Sequence, residues 1–108
     1  MKDIGQNSGK GSIFKLNVWM EPIEGFHLEN VNWSAKVFTE NGFKSITIDK
    51  TEAIKVDADN YIIVVDSAIT GPGRHYVTLT AQIPDGDVKG GVRQEVKTCY
   101  SGVTIDPK

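Results

Sequence analysis

The sequence predicts an all-β fold, an antiparallel sandwich of about seven strands of the immunoglobulin-like kind. Three observations lead there. Apolar residues recur with period two, turn-forming clusters interrupt them every ~8–12 residues, and no stretch keeps helical periodicity over about ten. Composition permits such a fold: 39% hydrophobic and 24% charged residues are ordinary for a globular domain. The 108 residues suffice for one modest core. Residues 1–12, rich in Gly, Ser, Asn and Lys, are expected to form a flexible N-terminal tail, and residues 13–108 a single sandwich domain.

The first strand is predicted from Ile13, with Phe14, Leu16, Val18 and Met20 on one face and Lys15 and Asn17 on the other. Glu21 to Asn30, with Pro22 and Gly25, reads as a crossing loop that half-buries Ile23, Phe26 and Leu28. Val31, Trp33, Ala35 and Val37 then alternate with Asn32, Ser34 and Lys36. Asn41-Gly42 fits a two-residue type I′ turn, whose central positions both need positive φ. That closure sets Val37 opposite Ile46 and Ala35 opposite Ile48, with Lys36 opposite Thr47 and Phe38 opposite Ser45 on the outer face. A slip of one residue would turn every apolar side chain of one strand outward.

Ile54 and Val56 continue the alternation, and Asp57-Ala58-Asp59-Asn60 reads as a turn. Tyr61 to Asp66 is apolar on both sides, which predicts a central strand or one covered by another part of the molecule. Ser67 to Gly73 reads as a tight loop with a single helical turn. His75, Val77, Leu79, Ala81 and Ile83 alternate against Tyr76, Thr78, Thr80 and Gln82. After the polar turn at Pro84 to Gly91, Val92–Tyr100 and Val103–Ile105 give a last strand broken near Ser101-Gly102. Trp33, Val37, Ile46, Ile63, Val77 and Leu79 are expected to meet between the two layers.

Charge argues against general nucleic-acid binding, which needs a basic face: 12 Lys and Arg face 14 Asp and Glu. The longest apolar run, Ile62 to Val65, is far short of the ~20 residues of a membrane helix. Residues 1–12 show no apolar signal-peptide core, so synthesis in the cytoplasm is expected. The lone Cys99 cannot form an intrachain disulfide, and no Cys/His set suggests a zinc site.

Each residue pattern that invites chemistry has a plainer structural reading. Asp66, Ser67 and His75 supply the residue types of a hydrolytic triad, but no Gly-x-Ser-x-Gly elbow accompanies them, and His75 reads as a packed strand residue. His27, beside Phe26, reads as a solvated or capping loop residue. Asp57 with Asp59, and Asp85 with Asp87, fit turns better than a calcium loop or a glycosidase pair, since carboxylates in turns bond nearby backbone amides. Gly71-Pro72-Gly73 lacks the third glycine and following helix of a phosphate loop and reads as a tight turn. Cys99, two residues from Lys97, is expected to be a core or edge thiol. Asn32-Trp33-Ser34 is formally a glycosylation sequon. Catalytic, metal and cofactor-binding residues are therefore expected to be absent. What remains is aromatic: Trp19, Phe38, Tyr76 and Tyr100 are placed to project away from the core as a partner or sugar surface.

One resemblance accompanies this reading. Tyr61 to Ser67, Gly71-Pro72-Gly73, Ile83 to Asp87, Gly91 to Val96 and Gly102 to Ile105 together resemble small β-sandwich domains of prophage and phage tail or baseplate proteins of anaerobic gut bacteria. The layout is similar to the N-terminal domain of baseplate upper proteins, over residues 13–106. The shared motifs are turn and strand signatures. They give Gly71, Gly73 and Asp85 turn roles and Arg93 an ion pair or contact on a strand surface. The resemblance implies a virion component, so that synthesis in the cytoplasm leaves virion association open, and one that docks to other tail or baseplate subunits or to itself. The expected function is accordingly a non-enzymatic assembly module, without nucleic-acid binding or membrane insertion. A carbohydrate-binding module using the exposed aromatics is the alternative, and a small hydrolase on the acidic turns a third.

Overall fold

The computed structural model describes residues 13–40 and 44–105. Seven strands form: β1 (Ile13–Trp19), β2 (Asn32–Thr39), β3 (Ile46–Asp49), β4 (Ile54–Asp57), β5 (Asn60–Asp66), β6 (Gly73–Pro84) and β7 (Val92–Ile105). One helical turn, α1 (Ser67–Thr70), joins β5 to β6, and short 3-10 turns occupy Leu28–Asn30 and Lys50–Glu52. The strands build two antiparallel sheets, ordered β1-β5-β4 and β3-β2-β6-β7. The two-layer, seven-strand arrangement is that of a β-sandwich. Counted from the second strand of the immunoglobulin order onward, the adjacencies are the same: β1-β5-β4 follows B-E-D, and β3-β2-β6-β7 follows C′-C-F-G.

Period-two patterning explains the core. Phe14, Leu16 and Val18 of β1 and Tyr61, Ile63 and Val65 of β5 face Trp33, Ala35 and Val37 of β2 and Val77, Leu79, Ala81 and Ile83 of β6, all of them buried. Five of the six residues expected to meet between the layers are buried, and Ile46, near the outer edge, is partly so. The crossing loop closes one end. Leu28 is wholly buried, and Ile23 and Phe26 pack against the core after exchanging backbone hydrogen bonds with each other.

The β2–β3 register is the one the Asn-Gly turn demands: Val37 opposite Ile46, Lys36 opposite Thr47 and Ala35 opposite Ile48. The ladder begins at that first pair, so Phe38 and Ser45 lie beyond it. The turn itself and the N-terminal tail fall outside the described residues. β5 is central, as its apolar character requires, but nothing among the described residues covers its outer face: Val64 is exposed and Ile62 half-buried. Ile54, directly across from Ile62 on the edge strand β4, shares that outer face and is also exposed.

β7 is long and uneven. From Val92 to Tyr100 it pairs with Pro84 to Tyr76 in unbroken register. The register then shifts before Thr104, where Gly102 takes φ +87°. Among the described residues β7 borders only β6, and none of them pairs with its other edge.

Candidate functional site

The outer face of the four-stranded sheet carries an aromatic row. Phe38 of β2 lies opposite Tyr76 of β6, which lies opposite Tyr100 of β7. Cross-strand partners on one face stand close enough for their rings to touch. The Phe38 and Tyr76 rings stack at 20° with centroids 5.7 Å apart, and Tyr76 and Tyr100 are tilted at 5.5 Å. Cations flank the row: Lys36 Nζ lies 6.0 Å from the Phe38 centroid and the Arg74 guanidinium 5.5 Å from that of Tyr100. The Tyr100 hydroxyl and Thr104 Oγ1 are hydrogen-bonded at 2.7 Å. Next along the sheet, Thr78 and Thr98 pair through their hydroxyls at 2.8 Å.

A polar layer backs this row inside the sandwich. One residue along from each aromatic, Thr39, His75 and Ser101 point inward and are buried. Ser101 Oγ donates to the His75 carbonyl at 2.7 Å and accepts from the Val103 amide at 3.1 Å. His75 Nδ1 lies 3.0 Å from the Gly73 carbonyl, and Phe14 packs edge-on against its ring at 5.2 Å. Burial lowers the His75 pKa from 6.5, and the Gly73 carbonyl opposes this only in part. These bonds fix β6 and β7 where the outer aromatics sit. The signal in the sequence is an aromatic adjoining a polar residue in each strand: Phe38-Thr39, His75-Tyr76 and Tyr100-Ser101.

Trp19 stands apart from this row. It lies at the end of β1, 39% exposed, and leans over the sandwich edge so that Lys97 Nζ of β7 sits 5.1 Å from its ring centroid. Beneath it opens a cleft of about 290 Å³, lined by Met20, Ile23, Leu79, Ala81 and the inward side of β7 at Glu95 and Lys97. Arg93 is separate again. It lies across from buried Ile83, on the side of β7 that faces the other layer, rather than on an outer surface. Its Nη1 donates to Asp85 at 2.7 Å, its Nε to Glu95 at 2.9 Å, and Nη2 pairs with Glu24 of the crossing loop. Glu95, then Asp85 and Glu24, raise the Arg93 pKa further above its already high value. The Asp87 amide and Arg93 hold Asp85 below the usual carboxylate range.

The other candidate residues are engaged in the fold. Asp66 accepts from the Ala68 amide at 2.9 Å and caps α1, while the ring nitrogens of His75 contact Thr70 and Gly73. Asp57 accepts from the Asp59 amide at 2.9 Å and from Asn60 Nδ2 at 2.8 Å, and the Asn60 bond is the main reason its pKa is lowered. Asp59 receives the Leu28 amide at 3.3 Å and meets His27 Nδ1 at 3.0 Å, which ties the crossing loop to the β4–β5 turn. Gly71 and Gly73 both take positive φ, +87° and +114°, as tight turns require. Among the described residues, no three or more His, Cys, Asp or Glu side chains gather as metal ligands, and no helix is long and apolar enough to cross a membrane.

No known protein family, curated protein or solved structure matches the chain.

Proposed function

We propose that this chain is a non-enzymatic assembly module, acting as a tail or baseplate component of a prophage-encoded particle, made in the cytoplasm and carried into that particle. The observation that carries the assembly role is the registered row Phe38–Tyr76–Tyr100 on an outer sheet face, flanked by Arg74 and Lys36. Tyrosine and arginine are the residue types enriched where proteins bury contact surface against each other. Rings already ordered against their neighbours lose little freedom on docking. The tail or baseplate assignment rests on the turn and strand signatures of the second half of the sequence. Native mass spectrometry of the chain with the products of its neighbouring genes tests the reading. A complex that Tyr76→Ala weakens at least tenfold supports it; absence of any complex with tail-assembly products removes it.

A second reading, glycan binding, draws on the hydroxyl-bearing Thr78, Thr98 and Thr104 beside the same aromatics. Against it, the Phe38 ring is stacked on Tyr76, and the Phe38 and Tyr100 rings each have a cation nearby, rather than lying bare as a sugar platform. An oligosaccharide array followed by titration decides: binding that Tyr76→Ala abolishes would favour this reading over the first.

A further inference from the structure

The edge of β7 that no described strand pairs with combines features that are hard to reconcile in a strand meant to stay alone. Natural edges are blunted by charges pointing toward the core, and β7 has three in alternation, Arg93, Glu95 and Lys97, on the side that faces the other layer. Yet the same strand exposes Val92 (43%), Val96 (59%) and Tyr100 (43%) on its outer side. It also runs in regular register over Val92 to Tyr100, and Val96 is the midpoint of that stretch.

Consider β7 beside a second β7, antiparallel, across a two-fold axis at Val96. Val96 meets its own counterpart, Val92 meets Tyr100, Gln94 meets Thr98, and Glu95 meets Lys97 twice over. Directly opposed residues in an antiparallel pair share a face, so the three exposed apolar residues cover one another on the outer side, and the opposite charges meet on the inner side. Face alternation allows the register to move only in steps of two residues. One step toward the N-terminus sets Glu95 against Glu95 and Arg93 against Lys97. One step toward the C-terminus sets Lys97 against Lys97. Like charges directly opposed are destabilising. The central register is thus the one in which the whole regular stretch overlaps, Glu95 and Lys97 oppose each other and the exposed apolar residues are covered. In it Arg93, already paired with carboxylates of its own chain, meets only Cys99.

We infer that two copies of this chain dimerise by pairing their β7 edges about Val96, joining their four-stranded sheets into one continuous sheet. This goes beyond the assembly role proposed above and does not depend on it. The occupant is a second copy because the charge order Glu95, Val96, Lys97 is complementary to itself only when reversed across a two-fold axis. A segment of unrelated sequence would carry no such constraint.

Charge exchange tests this directly on the full chain, by sedimentation equilibrium over a dilution series from millimolar to micromolar, with circular dichroism confirming that each variant is folded. The original chain is expected to dimerise as concentration rises. Glu95→Lys alone places an introduced lysine against Lys97 of the other copy, and Lys97→Glu alone opposes two carboxylates, so each should weaken dimerisation at least tenfold. An equimolar mixture of the two single variants restores both opposite-charge contacts and should re-form the dimer. The double exchange E95K/K97E also restores them, and decides the matter should a single variant not fold. A monomeric original chain, single variants that dimerise like the original, or a mixture and double exchange that both stay monomeric would each overturn the inference.

Discussion

Thr70 Oγ1 lies 2.6 Å from Nε2 of His75, a residue with no exposed surface. A carbonyl oxygen only accepts hydrogen bonds, so His75 Nδ1, 3.0 Å from the Gly73 carbonyl, bears a proton, and in the neutral ring Nε2 accepts from the threonine hydroxyl. Burial favours that neutral form. A proton added to Nε2 would turn that bond around and leave a charge in the core.

This fixes the sign of a pH effect. Burial lowers the folded pKa of His75 below 6.5, so the unfolded chain takes up a proton that the folded chain refuses. Stability is expected to fall as pH drops below about 6.5, with a slope from this residue of at most about 1.4 kcal/mol per pH unit. Thermal melts from neutral to mildly acidic pH should show it, and His75→Gln should flatten that region. Asp57 and Asp85, both lowered from 3.8, act in a separate and more acidic window. Their contribution is present above that value and lost as pH falls below it.

Neighbouring positions on β5 should respond in opposite ways to truncation. Ile63 is fully buried in the central strand, and Ile63→Ala is expected to cost about 2–5 kcal/mol through lost burial and a residual cavity. Val64, on the outer face and 47% exposed, should tolerate alanine within about 0.5 kcal/mol. Urea unfolding of the two variants measures the contrast.

Gly102 sits at φ +87° where β7 changes register, and a β-carbon there would meet no atom within 4 Å. Gly102→Ala should therefore cost about 1–2 kcal/mol from backbone conformation alone. No gain in packing offsets it. Denaturation midpoints, with hydrogen exchange at Ser101 to Thr104, measure the loss.

Arg93 joins the Asp85 turn, β7 and the crossing loop through three carboxylates. Arg93→Ala is expected to loosen both loops, read as faster limited proteolysis within residues 21–27 and 85–91. Arg93→Lys should not restore protection, because an ammonium lacks the planar fork that reaches several oxygens at once. Added salt should narrow the difference between original and variant, since these partners are partly exposed.

Local patterning exposes most of the architecture. The Asn-Gly turn and the coincidence of apolar faces suffice to set Val37 against Ile46, because both signals lie within one hairpin. The aromatic row is legible as outward-facing residues, but the contact of Phe38 with Tyr100 through Tyr76 depends on which strands adjoin, and no local signal sets that order. Only parity groups Trp19 with them; its place on the other sheet separates it. Arg93 is legible as an ion-pairing residue, whereas its partner Glu24 lies 69 positions away. The apolar run of β5 overstates its burial: a central strand needs good neighbours on both edges, and that requirement alone accounts for β-branched residues whose outer side stays wet.

The crossing loop has a consequence for how this scaffold tolerates altered length. Ile23, Phe26 and Leu28 plug the end of the sandwich, and Glu24 and Asp59 fasten the loop to distant parts of the chain. Shortening it would uncork that end of the interior, so insertions and grafts belong elsewhere. The tip of the β6–β7 hairpin, around Gly86 to Gly90, is the natural splice point: it is exposed and remote from the core.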